Sequence, residues 1–211
     1  MGLILKKQVK EDCLLGLWEI TEDYNTLFSR VDLNDSEINT LTSYKNQNRK
    51  LEFLSVRTLL SHLVDEKIKI FYNHNGKPFF YNHLYNISVS HSMKLTSVLI
   101  GKIMKVGVDL EFMSDRIYKI SHKFIHNKEQ ITENTNRRIN HLYIHWCAKE
   151  AIYKLLDRKN LNFSREIFIK PFTLRSKGKI EGIVETGKIH EKLELNYFQH
   201  NNYIIVWCCK E

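Results

Sequence analysis

Apolar positions along this chain change period several times, and the changes mark out its elements. Residues 1–20, "MGLILKKQVKEDCLLGLWEI", begin with a short apolar patch followed by charges and predict a first strand. From 34 to 65 the period is helical. Leu51, Phe53, Leu54, Leu59, Leu60 and Leu63 recur at helical spacing, and Asn34, Asp35 or Ser36 supplies an N-cap. "IKIFYNHNGKPFF" reads as a strand followed by a turn at Asn75-Gly76. "YNISVSHS", "KLTSVLIGKI" and "KVGVDLEF" are three further strands rich in Val, Ile and Leu.

After Phe112 the pattern restarts. Residues 115–157 are mainly helical, "LDRKNLNFS" is a loop, and strands are expected at about 166–175, 179–186, 192–198 and 202–209. Each half thus reads as helix first, then strands. This order predicts an α+β protein of two similar lobes, 1–112 and 113–211. With only two prolines and no Ser/Gly tract there is no linker, so the lobes are expected to pack tightly.

Composition narrows the class of function. Hydrophobic residues make up 43% of the 211 and charged residues 27%, which is globular composition rather than disorder. No apolar run reaches the ~18 residues that span a bilayer, and the N-terminus lacks the charge order of a secretory signal. The expectation is a cytoplasmic protein without membrane contact. Cys13, Cys147, Cys208 and Cys209 make no C-x-x-C pair, which argues against zinc and against a disulfide framework. The net charge of +8 favours a polyanionic partner, a phosphorylated cofactor or an acidic protein. The basic residues are scattered and carry no nucleic-acid-binding signature, so nucleic acid is not expected.

The candidate chemistry lies in carboxylates. In the strand "KVGVDLEF", Asp109 and Glu111 are two apart and project to one side, while Val108 and Leu110 face the other. Gly107 before them lets a backbone or ligand come close. Two like charges on one face are relieved by a divalent cation, and carboxylate oxygens suit Mg²⁺. Within "WCAKEAIYK", Trp146, Glu150 and Lys154 share one helical stripe. Glu150 would complete the carboxylate set, and Lys154 would meet a phosphate on the same ion, a layout for phosphoryl or phosphodiester chemistry. Each feature alone is more often a solvated charge cluster; the combination points to a metal. Upstream, His91 and the Ser90 backbone at a strand end could contact phosphate. Gly76-Lys77-Pro78 would hold Lys77 at a fixed spot, and Arg57 on an apolar helix face needs an acid or ligand partner. Lys45, Arg49 and Lys50 read first as solvated helix charges, with anion contact as the alternative.

Together these segments resemble the 4′-phosphopantetheinyl transferases of the large, monomeric, surfactin-synthetase-activating class. The shared motifs are Gly76-Lys77-Pro78, Val89-Ser90-His91-Ser92, Val106-Gly107-Val108-Asp109-Leu110-Glu111, and Trp146 through Lys154. The resemblance covers about residues 45 to 157 and includes "VRTLL" around Arg57. It implies two similar α+β lobes with the active site in the cleft between them. It implies Mg²⁺-dependent transfer of the phosphopantetheine arm of coenzyme A to a serine of an acyl or peptidyl carrier protein, with release of 3′,5′-ADP. By resemblance, Asp109, Glu111 and Glu150 hold Mg²⁺ on the pyrophosphate, and Lys154 stabilises transition-state charge. Arg57, Lys77, Pro78, Ser90 and His91, with Lys45, bind around the adenosine 3′-phosphate. Glu129 lies where the family often carries an acid proposed as base. Met93 stands where the family often has Gly. The competing readings are another Mg²⁺-dependent nuclease or phosphohydrolase, and a non-enzymatic basic binding module.

Overall fold

The structure, a computed structural model, describes the chain apart from Met1, residues 66–68, residues 81–83, Lys159 and Lys188. Met1 and Ile68, in predicted strands, and Lys159, in the predicted loop, lie outside the described residues. The protein is α+β with antiparallel sheets, and it divides into two compact units, Met1–Met104 and Lys105–Glu211.

The first unit opens with a hairpin rather than one strand: β1 (Leu3–Lys10) and β2 (Cys13–Glu19) turn at Glu11-Asp12. The turn is fixed from outside the hairpin, because the Asp12 carboxylate accepts the N–H groups of Ile103 and Met104 at 2.6 and 3.0 Å. Three helices follow, α1 (Tyr24–Phe28), α2 (Asp35–Ser43) and α3 (Gln47–Leu63). Among the candidate caps, Asn34 is used. It forms a reciprocal capping box with Glu37, satisfying an N–H at each side. β3 (Ile70–Tyr72) and β4 (Pro78–Phe80) form a small hairpin with Gly76 in the left-handed region (φ +81°). β5 (Asn86–Ser92) and β6 (Leu95–Gly101) complete a sheet ordered β1-β2-β6-β5. α3 packs on β2 and β6, burying Leu54, Leu59 and Leu63 with Trp18 and Val98.

The second unit begins with β7 (Lys105–Phe112). The sequence reading placed this strand at the end of the first lobe, but it is hydrogen-bonded along its whole length to the final strand, β11 (Tyr203–Lys210). Between them come α4 (Arg116–Ile120), a 3-10 turn at Ser121–Lys123, the long α5 (Thr135–Leu156), and α6 (Phe163–Glu166). β8 (Ile167–Ile169), β9 (Lys177–Thr186) and β10 (Ile189–His200) follow, giving the sheet order β7-β11-β10-β9-β8. The strand expected at 166–175 is therefore only three residues long. α5 packs on β7 and β11, as α3 packs on β2 and β6, so each unit sets its long helix across two neighbouring strands. Among the described residues, no helix is long and apolar enough to cross a membrane.

Candidate active site

The site is built on how closely α5 approaches β7. A Cβ placed on Gly107 would stand 2.0 Å from the Ala151 carbonyl oxygen and 2.9 Å from the Leu155 Cβ. Gly107 is therefore required by the helix backbone passing over it. Cys147, Ala148 and Ala151 are fully buried small residues that permit this approach. Residues 141–155 are buried over most of the helix surface, and Trp146, Glu150 and Lys154 form a partly exposed stripe. This is the stripe that the spacing of "WCAKEAIYK" predicts.

The close approach brings the end of α5 to Asp109. The Lys154 ammonium donates to Asp109 Oδ1 at 2.7 Å. Asp109 is buried, and in the ladder it lies opposite Val206, while Glu111 lies opposite Ile204. Glu150 has its carboxyl pushed up to about 7, first by burial, then by the negative charge of Asp109 and of Glu111, with Lys154 acting the other way. Asp109, Glu111, Glu150 and Lys154, remote in sequence, are thus electrostatic neighbours. Among the described residues, no three His, Cys, Asp or Glu side chains stand as an assembled metal cage. The chemistry of the donor set nonetheless fits a hard divalent cation. Burial first, and then the negative charges of Asp109 and Glu111, raise the Glu150 carboxyl, while Lys154 acts the other way, and a cation bound among these oxygens would offset that charge.

The neighbouring Lys149 points elsewhere. Its ammonium is fully buried and donates to Glu129 at 2.9 Å and to the carbonyl oxygens of Phe124, Phe163 and Ile167 at 2.6, 3.0 and 2.8 Å. Burial pushes it down to about 8, against the pull of Glu129, so it stays charged at neutral pH. The Glu129 carboxylate has no exposed surface and also accepts the N–H groups of His126 and Ile169, each at 2.7 Å. That geometry makes Glu129 an anchor tying the 124–129 segment and β8 to α5. A base needs access to the proton it takes, and this carboxylate is enclosed.

In the first unit, Arg57 finds an acid rather than an open face. Its Nε donates to Glu37 Oε1 at 3.0 Å, its Nη1 donates to the Phe53 carbonyl at 3.1 Å, and its guanidinium lies 3.3 Å from the Phe53 ring centre. Both partners of the ion pair are buried, so Arg57 anchors the start of α2 to α3. His91 on β5 meets Arg49 through Nε2 and Glu52 through Nδ1 at 3.3 Å; Arg49 also pairs with Glu52 at 3.0 Å. Arg49 and His91 thus both meet the Glu52 carboxylate. Ser90 is buried, with its carbonyl accepting from Ser97 Oγ at 3.4 Å. Lys77 and Pro78 close the β3–β4 turn, where the Lys77 N–H donates to Asn73 Oδ1 at 2.9 Å. Lys45 is exposed between α2 and α3. Met93 has a left-handed backbone (φ 54°), consistent with the glycine that the resemblance expects there.

A family model described as the 4′-phosphopantetheinyl transferase superfamily matches residues 105–211, the whole of the second unit. No curated protein matches this chain.

Proposed function

Because this chain belongs to the 4′-phosphopantetheinyl transferase superfamily, we propose that it transfers the arm of coenzyme A to a serine of an acyl or peptidyl carrier protein. We place it in the large, monomeric, surfactin-synthetase-activating class. In favour of that class, the unit outside the family match carries the Gly76-Lys77-Pro78 and Ser90-His91-Ser92 motifs. The observation that carries the reading is the junction of α5 and β7, where Asp109, Lys154 and Glu150 interact over Gly107.

In the reaction, the serine hydroxyl oxygen attacks the β-phosphorus of coenzyme A and forms a new phosphoester bond, its proton passing to solvent water. The bond from that phosphorus to the bridging oxygen breaks, and 3′,5′-ADP leaves. Negative charge builds on the pyrophosphate oxygens. Asp109, Glu111 and Glu150 would hold Mg²⁺ there, which when bound supplies charge neutralisation for the leaving group. Lys154, held by Asp109 in the resting protein, carries the positive charge suited to the same oxygens. Asp109 also limits the freedom of the lysine, so less ordering is needed when substrate binds. His91 and Arg49 are suited to the adenosine 3′-phosphate, with Ser90, Lys77, Pro78 and Lys45 as further contacts. Arg57 and Glu129 are assigned to anchoring. A net positive chain suits an acidic carrier protein.

The test is to incubate the protein with coenzyme A, Mg²⁺ and an apo carrier protein and to weigh the carrier. A mass gain of one phosphopantetheine arm is expected. Asp109→Ala, Glu150→Ala and Lys154→Ala should each slow transfer by about 100-fold or more while remaining folded. A folded Asp109→Ala protein with near-normal turnover would remove its assigned role.

A further inference from the structure

In the first unit, a carboxylate that the reaction as described does not use stands beside His91 and Arg49. Glu52 lies on α3, one turn after Arg49, and meets His91 on β5. Arg49 Nη1 donates to Glu52 Oε2 at 3.0 Å and also meets His91 Nε2. A guanidinium can only donate, so Nε2 is the accepting nitrogen and the imidazole proton sits on Nδ1. Nδ1 lies 3.3 Å from the same Glu52 Oε2. The three side chains thus close on one another across the helix and the strand. Their separation is fixed from beneath. Ser55, the next turn of α3, hydrogen-bonds Thr96 between hydroxyls at 2.7 Å, and both residues are fully buried. Thr96 is the ladder partner of His91. The Glu52 side chain is 16% exposed against 45% for Arg49, so the carboxylate is the inner member of the pair and the guanidinium the outer one.

We propose that Glu52 is a positioning residue, which holds the Arg49 guanidinium and the His91 imidazole together as one edge for the phosphomonoester of coenzyme A. This rests on the reading of His91 and Arg49 as contacts of the adenosine 3′-phosphate. Without the carboxylate, Arg49 is a long, half-exposed arm whose rotamer freedom is lost when phosphate binds. With it, arm and ring are ordered before the ligand arrives. Charge alone predicts the opposite sign. A carboxylate within reach of both phosphate contacts repels a phosphate, so a Glu52 that acted only through its charge would weaken binding, and its removal would strengthen it. The two effects differ in direction, so the sign of one substitution separates them.

The experiment is calorimetric titration of coenzyme A and of 3′-dephospho-coenzyme A, with Mg²⁺ present, into the native protein and its Glu52 variants. Native protein should bind coenzyme A more tightly than the dephospho form. Glu52→Ala should bind coenzyme A about tenfold more weakly, the cost of ordering two released side chains, and should bind the dephospho form as the native protein does. Glu52→Gln keeps an accepting oxygen and should recover part of the loss. Urea midpoints taken alongside report packing. The second readout is the nitrogen-15 spectrum of the imidazoles, with His91 identified by its absence in His91→Gln. Its proton should sit mainly on Nδ1 in the native protein and redistribute between the two nitrogens in Glu52→Ala. Native or tighter binding of coenzyme A by Glu52→Ala overturns the proposal. So does equal weakening of both ligands in step with a lower urea midpoint, which would make Glu52 structural only. If the native protein binds the two ligands alike, the 3′-phosphate reading fails and the positioning role falls with it, while the nitrogen spectra still decide whether Glu52 holds the ring.

Discussion

Gly107→Ala tests the helix–strand contact on which the site depends. The added Cβ would lie 2.0 Å from the Ala151 carbonyl oxygen. Carbon–oxygen contacts settle no closer than about 3.3 Å, so α5 must retreat from β7 by roughly 1.3 Å. The obstacle is backbone, so no side-chain rotation can relieve it. Overpacking of this kind costs about 1–3 kcal/mol, and the absence of a flexible neighbour puts the expected loss near the upper end. The functional loss should exceed the stability loss. The Lys154–Asp109 hydrogen bond, at 2.7 Å, would open towards ~4 Å, beyond hydrogen-bonding distance. Glu150 would move with it. A displacement of about 1 Å in groups that must meet a transition state costs about 100-fold in rate. The assay pairs urea unfolding with the carrier mass-gain rate, measured where the variant is still folded. Gly187→Ala serves as the control, since its Cβ would meet nothing within 4 Å. A Gly107→Ala protein with native midpoint and native transfer rate would refute the close-contact reasoning.

Three further outcomes are expected. Lys149→Met should cost about 3–5 kcal/mol in urea unfolding, because it strands the enclosed Glu129 carboxylate, and Lys149→Met with Glu129→Leu should recover part of that loss. A loss under ~1 kcal/mol for the single variant would contradict the anchor. Arg57→Met should likewise destabilise by about 3 kcal/mol while leaving the KM for coenzyme A unchanged; a tenfold rise in KM at native stability would return Arg57 to phosphate binding. His145 is held neutral, its pKa pushed down to about 3 by burial first, so the unfolded chain takes up a proton below ~6.5 that the folded protein refuses. Its stability contribution is therefore intact above ~6.5 and falls with acid by about 1.4 kcal/mol per pH unit, or about 2 kcal/mol by pH 5. Urea midpoints at pH 7 and pH 5 should show this drop in the native protein and a smaller one in His145→Gln; equal drops would remove His145 as the cause.

Local features were legible in the sequence where the cause is local. The Asn34 cap, the Asn75-Gly76 turn and the Trp146/Glu150/Lys154 stripe all follow from residue type and helical or turn spacing. Gly107 was legible as a place of close approach, although not what would approach. The opening hairpin was missed because Glu11-Asp12 carries no glycine or proline; its turn is held by Asp12 reaching Ile103 and Met104, far along the chain. Buried pairs were hidden for the same reason. Arg57 needed a partner, but nothing in its neighbourhood names Glu37, twenty residues earlier on another helix. Glu129 looked available until Lys149 and two backbone N–H groups were found on it.

The most direct measurement is calorimetric binding of coenzyme A with and without Mg²⁺, in the native protein and in Glu150→Gln. Native binding should strengthen at least tenfold with Mg²⁺, and the variant should lose that increment while keeping its metal-free affinity. An increment that survives intact in folded Glu150→Gln would contradict the joint action of Asp109, Glu111 and Glu150 on one cation.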